Sequence, residues 1–285
     1  MKAVEVRALL DRHGLRLHRD RGQNFLLGES HADRLAVLAG VQEADTVIEV
    51  GTGLGALTRA LASRASRVVT IEVDAGLVRA LESEALLPDN VELLHADARE
   101  VDFAALASAA PGPCRLVANL PYSVATPLLR QWLDLDRAFV DWSVMVQREV
   151  AARLLAETGS RDYGSLSVLH RLCVDVELAT QLGGDRFYPA ARIRSSFLRM
   201  TPHAAREVDA PELRAVEKLL RSAFGQRRKM IGNSLAEAVR EAPGAFEAAG
   251  VSPRDRPQSI SADQWLALVR ALSGATRTQP PSPGC

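Results

Sequence analysis

Residues 117–122 read Val-Ala-Asn-Leu-Pro-Tyr, and the last four form a set suited to a planar exocyclic amine. The Asn119 side-chain oxygen and nearby backbone carbonyls can accept its two N–H bonds, and the Tyr122 ring offers a face on which a base can stack. Leu120 and Pro121 lie between them, and none of the four is a nucleophile or a metal ligand. Arg115, Leu116, Val117 and Ala118 read as the end of a short buried strand that Pro121 stops, so Asn119–Tyr122 lie at its carboxyl edge. Open α/β sheets bind ligands at that edge. A plain strand and Pro turn would look the same, so the preceding chain has to decide.

Three strand ends precede it. Val47–Val50 reads as a buried parallel strand, and Gly51-Thr52-Gly53-Leu54-Gly55-Ala56 turns from it into a helix over Leu57–Ala62. Glycines here let the backbone approach a ligand and free the helix N-terminus to meet it. Gly51, Gly53 and Ala56 also satisfy G-x-G-x-x-A, so a nicotinamide-dependent dehydrogenase is a rival reading. Val68–Ile71 is the second strand, ending in Glu72, which can accept from both ribose hydroxyls of either NAD or S-adenosylmethionine. Asp74, just beyond, suits a solvated turn better. Val91–Leu94 is the third strand, followed by His95-Ala96-Asp97-Ala98. Asp97 can accept an adenine amino group; a small residue followed by Asp here fits a methyltransferase pattern and has no counterpart in the dehydrogenase one. His95 has no second ligand at metal spacing and reads as packing or surface.

A chain of 285 residues with 47% hydrophobic and 25% charged content points to a globular protein of two domains. No apolar run is long enough to cross a bilayer, and the start is too charged for a secretory signal. Cys114, Cys173 and Cys285 are odd in number and far apart, which fits neither a disulfide framework nor a metal knuckle, so no metal and a reducing cytoplasm are expected. The zero net charge hides an asymmetry: 19 Lys+Arg against 26 Asp+Glu over 1–185 gives −7, and 16 against 9 over 186–285 gives +7. That division suits a polyanion held by the second part and presented to the first, although a bias toward Arg would look alike.

Residues 1–22 form a basic arm with a short helix, and Gly22-Gln23-Asn24-Phe25-Leu26 turns into an extended segment. Ser30 caps a helix whose apolar face includes Leu35, Val37 and Leu38. Beyond Tyr122 the expected elements are a helix over Thr126–Trp132, a strand over Trp142–Val146, a helix over Gln147–Leu154, a helix opened by Tyr163–Ser167, and an alternating strand over Cys173–Leu178. Phe187-Tyr188-Pro189 reads as a loop and Ser195–Met200 as the last strand of a seven-stranded sheet. Helices follow over Pro211–Phe224, Arg228–Val239 and Ser261–Leu272, with a turn near Phe246. Arg227, Arg228 and Lys229 stand at the start of the second of these. Cations at the positive end of a helix dipole cost stability, which suggests an anionic partner. The last ten residues, with Pro280, Pro281 and Pro283, are expected to be a disordered tail.

From Gly22 to about Leu235 the chain resembles the bacterial small-subunit rRNA adenine-N6,N6-dimethyltransferases. The resemblance is carried by Gly22–Leu26, Ile48–Leu57, Ile71–Asp74, Ala96-Asp97, Asn119–Tyr122, Gln147–Val150, Tyr163–Ser167 and Phe224–Leu235, in order. It implies an α/β fold: a Rossmann-like seven-stranded class I methyltransferase domain over 23–203 after the arm of 1–22, a small all-helical RNA-binding domain over 204–275, and the tail of 276–285. It implies S-adenosylmethionine as cofactor, held by Asn24, Leu26, Gly51, Gly53, Glu72, Asp97 and Asn119. The target adenine would be held by Asn119, Leu120, Pro121 and Tyr122, with Phe187 as a stacking partner and Arg227, Arg228 and Lys229 on the RNA. The implied reaction is double methylation of N6 on two adjacent adenosines in the 3′-terminal hairpin loop of 16S rRNA, by a monomer, in a pre-30S particle, with no membrane involved. Two departures stand out: Thr52 replaces the family's usual Pro, and Pro189 precedes Ala190-Ala191-Arg192-Ile193-Arg194-Ser195 where Pro-Pro-Lys-Val-Asp-Ser is usual. The alternatives are a 23S rRNA adenine-N6 methyltransferase of the macrolide-resistance type, an assembly factor whose binding matters more than its catalysis, and the dehydrogenase.

Overall fold

The computed structural model describes residues 1–17, 23–121, 124–191, 194–240 and 242–277. Gly22, Tyr122, Arg192 and residues 278–285 of the tail expected over 276–285 lie outside the described residues, as do Arg19 and Arg21 of the arm, whereas residues 276 and 277 are helical. The chain divides into two compact units, one of Met1–Ala151 with Val176–Pro202, the other of Ala152–Asp175 with the chain from His203 onward. Residues 152–175, expected with the methyltransferase sheet, therefore belong to the second unit.

The first unit holds α1 (Ala3–Arg12), β1 (Phe25–Leu26), α2 (Glu29–Leu38), β2 (Thr46–Val50), α3 (Ala56–Ala62), β3 (Arg67–Glu72), α4 (Ala75–Ser83), β4 (Val91–His95), α5 (Phe103–Ser108), β5 (Cys114–Asn119), α6 (Ala125–Trp132), β6 (Trp142–Gln147), the start of α7 (Arg148–Leu154), most of β7 (Val174–Leu182), β8 (Phe187–Tyr188) and β9 (Ser195–Pro202). Seven strands pair in the order β4-β3-β2-β5-β6-β9-β7. β2 to β6 are parallel, and β9 runs antiparallel to β6. The central strands bury both faces, which is why Val47, Ile48, Val68, Val69, Leu116, Val117, Val144 and Val146 form near-continuous apolar runs. Chain order reverses between β3 and β5 on either side of β2, and a crevice opens at such a switch point.

Much of the arm is ordered structure. Val6, Leu9 and Leu10 on α1 pack against Phe25, Leu54, Leu77 and Ala80, and Arg12 bonds Glu84 at 2.6 Å. α2 begins at Glu29 with Gly28 as its cap, rather than at Ser30, and buries Ala32, Leu35 and Ala36 while Val37 is 54% exposed. The small Ala32 and Ala36, four apart, let α2 sit close to α3. β1 and β8 form a separate two-stranded ladder, Phe25 opposite Tyr188 and Leu26 opposite Phe187, so the expected loop at Phe187 begins as a strand.

A charge cluster closes the amino edge of the main sheet. Arg115 donates to Asp45 at 2.6 Å and to Asp141 at 2.5 Å, and Arg199 donates to Asp141 through Nε at 2.9 Å and Nη2 at 2.6 Å.

The second unit contains α8 (Ser165–Arg171), α9 (Ala210–Gly225), α10 (Ile231–Ser234), α11 (Ala236–Arg240), α12 (Ala245–Ala248) and α13 (Ala262–Arg277). Tyr163 explains why residues 152–175 join it: its ring packs on Phe224, Phe224 packs on Trp265, and its hydroxyl donates to the Ile260 carbonyl at 3.0 Å. The helix expected over Arg228–Val239 is broken into α10 and α11 after a turn. The Ile231 and Gly232 N–H groups donate to Asp255 and Pro253 carbonyls instead of to a preceding helical turn. No described helix is long and apolar enough to cross a membrane.

Candidate functional site

A cavity of about 420 Å³ opens at the carboxyl edge of the first unit's sheet. Asn24, Leu26, Gly51, Gly53, Glu72, Asp97, Asn119, Leu120, Pro121 and Phe187 all line it, so residues separated by more than 160 positions converge there. Tyr122 lies outside the described residues, and Arg227, Arg228 and Lys229 belong to the second unit.

The loop after β2 is held open by its glycines. Gly51 (φ +86°) and Gly53 (φ +56°) adopt the left-handed conformation that glycine tolerates without a Cβ penalty. A Cβ on Gly53 would also stand 3.1 Å from the Phe25 ring. The loop's N–H of Gly53 donates to Glu72 Oε2 at 2.9 Å, and the Asp74 N–H donates to Oε1 at 3.0 Å. Burial raises the Glu72 pKa above the usual carboxylate value and the nearby Asp74 carboxylate adds to the rise, against backbone bonds from Asp74, Gly53 and Val73. Asp74 caps α4 through Gly76 and Leu77 N–H, a structural task.

Beneath this loop lies a network that sequence reasoning missed. Thr52 and Thr70 hydroxyls are 2.7 Å apart, Thr70 donates to Glu49 Oε2 at 2.7 Å, and Thr58 on α3 donates to the same oxygen at 2.6 Å. Glu49 is 1% exposed, and burial is the main reason its pKa is raised to about 7. One carboxylate thus ties the loop's second residue, through β3, to the first turn of the following helix. Its signal was a Glu inside the apolar run Val47-Ile48-Glu49-Val50.

Asp97 follows β4, and Arg99 bonds both of its oxygens, holding its pKa below the ordinary value. His95 is exposed at the end of β4.

Asn119 ends β5. Its Nδ2 donates to the Asn24 backbone carbonyl at 3.3 Å, and because that carbonyl can only accept, the side-chain oxygen faces the other way. Leu120 is 2% exposed and gives its N–H to Met145, while the Pro121 carbonyl accepts Val124 N–H. Phe187 is 2% exposed, so its ring is core packing as well as cavity wall. An oriented amide oxygen beside a glycine-rich loop and two carboxylates can bind a neutral N–H donor and a polar, ribose-bearing ligand at once.

In the second unit, Arg227 Nη2 donates to the Arg161 carbonyl at 2.5 Å and lies 3.4 Å from that of Ser160, whereas Arg228 and Lys229 are exposed. The cations occupy a turn ahead of a four-residue helix, so the helix-dipole argument for them does not apply. Exposed Arg254 and Arg256 flank Asp255, whose carbonyl accepts the Ile231 N–H.

Residues 14–273 match the family model of ribosomal RNA adenine dimethylase. The chain is 39% identical over 272 residues to the Ribosomal RNA small subunit methyltransferase A of Rhodospirillum rubrum, covering 95% of this chain and 93% of that one. It is 40% identical over 281 residues to the protein of the same name from Anaeromyxobacter sp. (strain K), covering 93% and 97%. Among solved structures it is similar to the 23S rRNA methyltransferase ErmE, with 26% identity, a TM-score of 0.63 and coverage of 88% of this chain and 100% of that one. A dimethyladenosine transferase from Plasmodium falciparum, at 20% identity, TM-score 0.73 and coverage of 88% and 98%, shares the fold.

Proposed function

The chain belongs to the ribosomal RNA adenine dimethylase family, and from that membership we propose that it transfers methyl groups from S-adenosylmethionine to N6 of two adjacent adenosines in the 3′-terminal hairpin loop of 16S rRNA. Each adenosine receives two methyl groups during small-subunit biogenesis, in the cytoplasm, from a monomer acting on a pre-30S particle. Small-subunit substrate is favoured over 23S rRNA because the relatives at 39–40% identity carry the small-subunit name, against 26% for ErmE. Membership of this family sets the dehydrogenase reading aside.

The residues present fit the cofactor. A cavity of about 420 Å³ lies in the range of small-molecule sites. Glu72 would accept from the ribose hydroxyls, and Asp97 would accept the adenine amine. Gly51 and Gly53 would admit the cofactor's backbone-facing side, and Asn24, Phe25 and Leu26 would cover it and exclude water. When bound, S-adenosylmethionine supplies an electrophilic methyl group on a sulfonium sulfur.

The observation that carries the reading is the Asn119 orientation. With its nitrogen given to Asn24, Asn119 Oδ1 would accept one N–H of the target amine, and a backbone carbonyl of Leu120 or Pro121 the other. A conjugated amine is a poor nucleophile. Accepting both N–H bonds draws its nitrogen toward tetrahedral geometry and aims the lone pair, and fixed positioning supplies much of the remaining acceleration. No base is needed beforehand, because the N–H proton becomes acidic once the nitrogen carries the new methyl group. The base has to be unstacked first, which a hairpin loop makes inexpensive. Tyr122 would stack on the flipped base, Phe187 would line its pocket, and Arg228 and Lys229, with Arg227 beside them, would meet the RNA backbone.

Single-turnover methylation of unmethylated 30S subunits, read by mass spectrometry of the rRNA, tests this. Asn119→Ala should bind cofactor and subunit close to normally and lose on the order of 10²-fold in methyl transfer. A near-normal rate would remove Asn119 from the chemistry; normal subunit maturation by a methylation-dead protein would favour the assembly-factor role.

A further inference from the structure

Asp97 is held from almost every direction. Its Oδ1 accepts the Arg99 backbone N–H at 2.9 Å and Arg99 Nε at 3.0 Å; its Oδ2 accepts Arg99 Nη2 at 2.5 Å and shares Nε at 3.1 Å. A carboxylate offers about four acceptor directions. The guanidinium fork takes the two that point the same way, the backbone N–H takes a third on Oδ1, and one remains on Oδ2. Asp97 and Arg99 both line the cavity.

A carboxylate with a single open direction suits a ligand group that has one N–H to give, such as one edge of an exocyclic amine. We propose that Arg99 is a positioning residue for the adenine end of the cofactor, locking Asp97 in the orientation whose one free acceptor direction meets the adenine amine. The inference rests on the cofactor reading given above. Without the fork, rotation of the carboxylate about its broad terminal torsion has to be frozen when the ligand binds. With the fork in place that ordering is complete beforehand, which is how preorganisation strengthens binding. The Arg99 side chain is 60% exposed, so no core depends on it, and an exposed ion pair of this kind adds little to folding stability. Its effect should therefore appear in ligand discrimination and not in the melting temperature.

The test crosses protein variants with ligands, by calorimetry on the full chain. The ligands are S-adenosylhomocysteine and its counterpart with purine in place of adenine, which lacks the amine. Arg99→Ala should weaken S-adenosylhomocysteine by roughly three- to ten-fold, the worth of about one well-placed hydrogen bond, and leave the purine counterpart unchanged. Arg99→Lys keeps the charge without the fork and should behave like Arg99→Ala. Equal weakening of both ligands, unchanged or tighter binding of S-adenosylhomocysteine in Arg99→Ala, or full affinity in Arg99→Lys each overturns the proposal. Asp97→Ala examines the underlying reading separately: it should weaken S-adenosylhomocysteine and spare the purine counterpart. Indifference of that variant to both ligands means that Asp97 does not meet the adenine, and the role of Arg99 falls with it.

Discussion

Replacing Glu49 with Gln should stabilise the protein above neutral pH and change the pH dependence little below about pH 5. Glu49 is 1% exposed, accepts from Thr58 and Thr70 on Oε2, and has no described partner on Oε1. Burial lifts its pKa from 4.5 to about 7; the two threonine bonds oppose the rise, the nearby Glu72 carboxylate adds to it, and Arg59 opposes it. Between those values the folded chain keeps a proton that the unfolded chain releases. Stability from this group is therefore fully present below about pH 4.5 and drains away as pH rises through about 7. The gap from 4.5 to about 7, at ~1.4 kcal/mol for each pH unit, sets a ceiling of about 3.5 kcal/mol on the loss. Gln keeps an oxygen for both threonine hydroxyls and is neutral throughout, so it mimics protonated Glu49. Urea unfolding of both proteins from about pH 5 to about pH 8 reads the effect, and a fixed cost of burying the amide nitrogen moves all points equally, leaving the slope as the signal. Parallel curves across that range would refute the assignment of a buried proton to Glu49.

Glu72→Ala should weaken S-adenosylmethionine by about 1–3 kcal/mol in calorimetry, because the Gly53 and Asp74 N–H groups, and the ribose hydroxyls proposed to bond Glu72, lose their acceptor. Gly53→Ala places a Cβ 3.1 Å from the Phe25 ring at φ +56°, and should cost about 1–2 kcal/mol in thermal unfolding along with cofactor affinity. Replacing Arg228 and Lys229 together by Ala should make the salt dependence of 16S rRNA binding shallower by about one to two in log–log slope. Arg227→Ala, which loses the carbonyls of Ser160 and Arg161, should lower thermal stability and alter that slope less.

What the letters disclosed was local chemistry. The run Val47–Val50 into glycines, Glu72 and Asp97 each at the end of an apolar run, and Asn119 ahead of Pro121 were legible because strand, turn and side-chain type sit within a few residues. The cavity gathers all of them because a parallel sheet puts every one of those ends on the same edge. What stayed hidden depended on distant partners. Residues 152–175 join the helical unit through Tyr163, Phe224 and Trp265, which lie up to 102 positions apart, as 265 − 163 shows. The break before α10 follows from carbonyls of Pro253 and Asp255, so the helical periodicity of 228–239 was overridden by tertiary bonds. Nothing in the letters ties Arg99 to a function, and only the fork geometry shows which carboxylate it bonds.

The charge cluster on the amino edge of the sheet bears on how the chain reaches its fold. β9 must find β6 across some fifty residues, with Arg199 set opposite Ser143 and Met200 opposite Trp142. Strand side chains alternate with a period of two, so a slip of one residue would turn Arg199 to the other face and leave Asp141 one guanidinium short. With Arg115 still in place, losing hydrogen bonds to a charged group costs about 1.5–3 kcal/mol, roughly a ten-fold bias or greater against the shifted pairing. Asp141, 1% exposed and at the opposite end of the strand from the cavity, thus favours one alignment of β9 on β6 over the shifted one.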